Sequence, residues 1–182
     1  MKGVIAFFIV MFLAFLYATR DVDWATRKAR PALQTEFVSI VEEARTRSTG
    51  AHDALRDSLF RDRNEAICKL LDSMEVNEWV GQVEGLKRLS DGRIELTVRI
   101  GRSLSLINRN TAIVFGGGAR NWIEVGSPVY ASLLEIEKYQ RIRFSGTFME
   151  DRRDCIRATR KNLRDSLYMP EFIFRFSHVE AL

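Results

Sequence analysis

The octapeptide RIRFSGTF, residues 141–148, alternates without a break. In an extended strand Ile142, Phe144, Gly146 and Phe148 fall on one side, and Arg141, Arg143, Ser145 and Thr147 on the other. A glycine on the apolar side weakens a strand unless the backbone must bend or be closely approached there. A small closed barrel gives the reason. Its strands coil around a narrow interior that cannot hold a side chain at every inward position. Gly81 and Gly85 in WVGQVEGLKRL suit the same purpose.

The neighbouring runs agree. From Trp79 the apolar period is two, and RIELTVRI sets Ile94, Leu96, Val98 and Ile100 against Arg93, Glu95, Thr97 and Arg99. Asp91-Gly92 between these runs is a hairpin signal, because glycine supplies the positive φ of the turn. A Ser/Asn/Arg-rich connection then leads to a third run, TAIVF (111–115), closed by three glycines. VGSPVYASLLEIEKY reads as a helix with Ser127 as N-cap and Pro128 at its first position. RIRFSGTF and PEFIFRFSHV supply the last two strands, with a polar insertion (149–170) between them. The order β-β-β-α-β-β over residues 77–182 is the layout of an OB-like barrel. An open antiparallel sheet with a helix on one face is the alternative.

Upstream the period is that of helices. Residues 32–75 hold two amphipathic segments, the first with Leu33, Phe37, Ile40, Val41 and Ala44 on one face. The second groups Leu55, Leu59, Ala66, Ile67, Leu70 and Leu71. Such a pair serves as a hairpin packed on the domain or as a stalk. Residues 20–31 form a polar linker. Before it, Gly3–Thr19 are uncharged, 17 residues that span roughly 25 Å as a helix, a little short of a bilayer's hydrocarbon core. Cleavage after Ala18 or Ala14 leaves Leu16 or Phe12 at the −3 position, where a small residue is wanted. Residues 1–19 therefore read as a retained signal-anchor, a single-pass transmembrane helix, with a cleaved signal as the alternative. The expected fold class is α+β: an N-terminal hydrophobic helix, two amphipathic helices, then a five-stranded OB-like barrel.

The stretches WVGQV, GSPVYASLLEI, RIRFSG and PEFIFRFS resemble parts of functionally uncharacterised membrane-anchored bacterial proteins, in which a cysteine-containing helical segment precedes an OB-fold domain. The resemblance covers Trp79–Val179, brings no activity with it, and implies a cell-envelope setting.

Orientation divides the charge rules. Lys2 favours export of the rest of the chain, whereas Arg20, Arg27, Lys28 and Arg30 count toward a cytoplasmic domain. Cys68 and Cys155, 87 residues apart, exclude a CxxC redox motif or zinc knuckle. Bridged, they place the domain outside the reducing cytosol, on the periplasmic side of a bacterial inner membrane. The other reading is a buried helical thiol and an unrelated loop thiol.

Nothing in the chain has the spacing of catalysis. The two histidines, His52 and His178, have no Cys, Asp or Glu at metal-ligand spacing. GxSxG, HExxH and Walker-type signatures do not occur, and GGGARN (116–121) does not run directly from a strand into a helix. No cofactor, no metal and no enzymatic activity are expected. Charge is the remaining signal: the net balance is +4, and the pI is near 9.3. Arg152, Arg153, Arg157, Arg160, Lys161 and Arg164 make the densest basic cluster, with Arg93, Arg99, Arg141 and Arg143 on outward strand positions. Phe172, Phe174 and Phe176 read as core, so the cations have no stacking rings beside them of the kind that hold single-stranded nucleic acid. The chain thus reads as a membrane-anchored, non-catalytic binding or assembly module for a protein or an anionic envelope polymer. A cytoplasm-facing nucleic-acid binder using the same cations is the second reading, and an enzyme with an unrecognised site the third.

Overall fold

The computed structural model describes residues 29–109, 121–159 and 162–182. The expected membrane span, residues 3–19, lies outside these; among the described residues no helix is long and apolar enough to cross a membrane. In chain order the elements are α1 (Ala32–Ser48), α2 (Asp53–Leu70), β1 (Glu75–Arg88), β2 (Ile94–Arg99), β3 (Ser105–Ile107), α3 (Pro128–Leu133), β4 (Arg141–Phe148), β5 (Glu150–Asp151), β6 (Cys155–Ile156), α4 (Leu163–Tyr168) and β7 (Glu171–Ala181).

β1 is long enough to serve two neighbours. Its first part, through Gln82, runs antiparallel to β4, and Gln82–Arg88 runs antiparallel to β2. β2 passes to β3, β3 lies parallel to β7, and β7 returns antiparallel to β4. The sheet closes as β1-β2-β3-β7-β4, a five-stranded mixed barrel with α3 between its third and fourth strands.

Staggered strands of unequal length leave gaps in the ladder, and buried carboxamides fill them. Gln34 of α1, wholly buried, donates to Val80 O and accepts from Val80 N. Asn108 extends the three-residue β3: its side chain accepts from Leu96 N and donates to Ile94 O at 2.9 Å. Asn121 donates to Phe174 O on β7. Each satisfies backbone groups that are costly to bury unpaired.

Ile142, Phe144, Gly146 and Phe148 of β4 are buried as the alternation implies, but Ser145, expected on the outer side, is buried too, accepting from Glu78 N, where the strand register slips between Ser145 and Gly146. A Cβ on Gly146 would overlap the carbonyl oxygen of Arg175 and the ring of Phe174. Gly81 is similarly confined by Val98 and Arg99, whereas at Gly85 the nearest atoms, on Thr97, are 3.5 Å away. Gly85 therefore marks the bulge after Val83 but is not sterically required. Phe172, Phe174 and Phe176 are all core.

Pro31–Leu182 form one compact unit, and the helical hairpin is packed on the barrel. Phe37 of α1 plugs the barrel, its ring 5.3 Å from Trp79, 5.2 Å from Phe148 and 5.9 Å from Phe172. Val129, Leu133 and Ile136, on and just after α3, join the same core. Ser127 caps α3, accepting from Tyr130 N as its sequence implies. Gly92 holds φ +85° in the β1–β2 turn.

Three expectations need correction. The third barrel strand is Ser105–Ile107, inside the stretch read as a connection; TAIVF and the glycines 116–118 lie outside the described residues. Leu106 and Ile107 are buried, but three residues are too few to show a period. β1 begins at Glu75 rather than Trp79, because a register slip between Val76 and Trp79, with Glu78 at φ +59°, breaks the alternation. On α2 the buried stripe is Leu59, Arg63, Asn64 and Ile67, while Leu55 is exposed.

Candidate functional site

The insertion between β4 and β7 carries the basic cluster, and its local structure follows from one aspartate. β5 and β6 pair as a short hairpin, with Glu150 opposite Ile156 and Asp151 opposite Cys155. The Asp151 carboxylate accepts from the amides of Arg153 (2.9 Å) and Asp154 (3.3 Å), and pairs with the Arg157 guanidinium at 3.9 Å. This folds the turn back on itself and leaves Arg152 and Arg153 exposed at its tip. Glu150, Asp151, Arg152, Arg153 and Arg157 line a shallow depression of about 600 Å³.

The returning chain is stitched into the barrel. Arg157 N donates to Met149 O, Ile173 N to Arg157 O, and Thr159 N to Glu171 O. Ala158 bridges Phe172, so the insertion continues the ladder on β7 where β4 has ended. Asn162 caps α4 by accepting from Asp165 N at 2.7 Å.

Beneath the insertion lies a buried arginine. Arg63 of α2 is 3% exposed and donates from Nη1 to Ser166 O of α4 at 2.6 Å. Its Nε and Nη2 donate to Asn64 Oδ1, and Asn64 Nδ2 donates to Asp154 at 3.1 Å. The guanidinium lies over the rings of Phe60 and Phe172, 4.8 and 5.7 Å from their centroids. Burial pulls its pKa down to about 10, opposed by the charge of Asp154, so it remains cationic at neutral pH. Two further ties reach α1: Arg45 Nε donates to Tyr168 O, and Tyr168 Oη donates to Ser48 O at 2.9 Å.

Cys68 on α2 and Cys155 on β6 are joined by a disulfide, with Cα atoms 5.7 Å apart. Cys68 is exposed rather than buried, and Cys155 is held at φ +65°. The bridge, the Asn64–Asp154 bond and the Arg63–Ser166 bond fasten the insertion to α2.

The expected cations do not form one surface. Arg152, Arg153 and Arg157 converge on the depression; Arg164 stacks on Tyr168 on α4, 5.9 Å from its ring centroid. Arg160 and Lys161 lie outside the described residues. Of the other four, Arg99, Arg141 and Arg143 lie on barrel strands, while Arg93, expected on a strand, lies in the β1–β2 turn. Arg93 pairs with Asp91 and lies over Trp122, and Arg143 pairs with Glu180 and Glu78. Arg99 donates to Gln82, which stands opposite Arg141 on β4. A second groove, about 360 Å³, includes Arg99 and Arg102 but also Glu84 and Glu171, which balance them.

Among the described residues no group of three His, Cys, Asp or Glu side chains could hold a metal ion. His52 caps α2 by accepting from Leu55 N, and His178 is exposed near Glu180. Sequence reasoning missed Arg63 and Asn64. The signal was available, since Leu59, Arg63 and Ile67 are spaced by four and put a cation in the middle of an apolar stripe. No family model matches the chain, and no curated protein or solved structure matches it.

Proposed function

We propose that this chain is a non-catalytic binding or assembly module: an OB-like barrel held at a membrane by residues 3–19, on the extracytoplasmic side, that docks an anionic polymer through the insertion. The observation that carries the reading is the arginine-tipped hairpin fastened by Cys68–Cys155. Disulfides persist outside the reducing cytosol. Arginine is the side chain suited to bidentate contact with phosphate or carboxylate. Barrels of this layout bind through loops and strand faces held by a stiff core. The insertion is such a segment, tied to α1, α2 and β7.

The test is titration of the full chain, in detergent micelles, with polyphosphate over a range of salt concentrations. The expected result is affinity that falls steeply with salt and is lost in Arg152→Gln/Arg153→Gln/Arg157→Gln, with neutral dextran unbound. Binding that is indifferent to salt or to these substitutions contradicts the reading. A reporter fused after Leu182 that is active only in the cytoplasm, together with preference for single-stranded nucleic acid over polyphosphate, replaces it with the nucleic-acid reading.

A further inference from the structure

We propose that the Cys68–Cys155 disulfide is a redox latch on the polyanion site, so that the oxidised chain binds and the reduced chain loses the site while keeping its barrel. This rests on the binding-module reading above and adds the regulation of that site.

The hairpin is too small to keep its own shape. β5 and β6 share two residue pairs, and an isolated two-stranded hairpin is marginal even when longer. Its two ends differ in how they are held. Beyond the tip Ile156 is buried, and half-buried Arg157 and Thr159 are bonded to Met149, Ile173 and Glu171. The tip from Arg152 to Cys155 is held by the Asp151 carboxylate, the pairing of Asp151 with Cys155, a bond from Ile156 N to Asp154 O, the Asn64–Asp154 bond and the disulfide, and of these the disulfide is the covalent tie to α2. Cys155 occupies the left-handed region, which a residue bearing a Cβ rarely adopts without being held there. Releasing Cys155 from Cys68 lets it relax toward extended backbone. Asp154, one residue away, and Arg153 must then turn with it. The arginines would no longer face the depression together.

The latch is accessible and its chemistry is closed. Cys68 is exposed, so a thiolate of a dithiol reductant can attack the bridge directly. The S–S bond breaks, and Cys68 and Cys155 leave as two thiols. The two electrons come from the dithiol, which departs as its own disulfide. Losing a pre-ordered pair of arginines costs their immobilisation on binding, and about tenfold in affinity follows.

The experiment compares polyphosphate binding by the full chain, oxidised, reduced with dithiothreitol, and as Cys68→Ser/Cys155→Ser, all carrying Trp24→Phe and Trp122→Phe so that the fluorescence of the buried Trp79 alone reports on the barrel. The expected result is salt-sensitive binding by the oxidised chain. Binding is about tenfold weaker in the other two forms, with the buried-tryptophan signal unchanged. Equal affinity in all three overturns the latch and leaves the binding reading standing. A reduced chain whose barrel has unfolded also overturns the latch, because the bridge then acts on the whole fold. An oxidised chain with no affinity for polyphosphate overturns the binding reading and the latch with it.

Discussion

Gln34 and Val80, 46 residues apart, exchange two hydrogen bonds as a pair of strand residues would: Gln34 Nε2 to Val80 O at 2.6 Å, and Val80 N to Gln34 Oε1 at 2.9 Å. The helix thereby stands in for a missing strand, at the place where β1 has left β2 behind. Gln34→Leu keeps the volume but orphans both groups of Val80. Each buried unsatisfied backbone group costs about 1–3 kcal/mol, so the expected loss is about 2–6 kcal/mol. Urea unfolding should show a lower midpoint with the slope unchanged.

The glycines separate by geometry. Gly146→Ala drives a methyl into the Arg175 carbonyl and the Phe174 ring, so strain of about 1–3 kcal/mol or more is expected. Gly85→Ala meets nothing closer than 3.5 Å. It should be neutral or stabilise by up to about 1 kcal/mol through the unfolded chain. Thermal melts of the two variants side by side check the difference.

The same contrast shows what could be read from residue order. The inward glycine of RIRFSGTF, the Asp91-Gly92 turn and the Ser127-Pro128 helix start are local signals, and local geometry satisfied them. β3 was hidden because its ladder is completed by the side chain of Asn108, and a carboxamide leaves no periodic trace. β1's first residues were hidden by the bulge before Trp79. For the candidate site the basic residues were visible as composition. Which of them share a depression depends on the Asp151 turn and on ties to α2 from 90 positions earlier in the chain, as between Asn64 and Asp154.

Arg63 and Asn64 should be strongly coupled. Asn64→Ala strips a buried guanidinium of the acceptor for two of its nitrogens, and a loss of about 3 kcal/mol is expected. Arg63→Met puts apolar volume against Phe60 and Phe172 but removes the donor to Asn64 Oδ1 and Ser166 O, so a smaller loss of about 1–2 kcal/mol is expected. In the Arg63→Met background, Asn64→Ala should cost less than half as much. A double-mutant cycle by denaturant unfolding measures this.

Opening the disulfide should lower stability without abolishing the fold. Closing a loop of this length contributes up to about 4.6 kcal/mol on chain-entropy grounds. At about 2–4 °C per kcal/mol for a chain of this size, reduction should lower Tm by roughly 10 °C. Cys155 only flanks the core that holds Phe37 and Trp79, and Cys68 is exposed, so the reduced chain should still melt cooperatively. Calorimetry with and without dithiothreitol decides it.

The central claim is that the insertion works as a disulfide-fastened element outside the cytosol, and the state of the two thiols in living cells tests it most directly. Cells are quenched in acid, free thiols are blocked with an alkylating reagent, and the chain is digested without reductant. The account predicts that Cys68 and Cys155 are recovered together in one disulfide-linked peptide pair. Recovery of both as alkylated, unlinked peptides would contradict it.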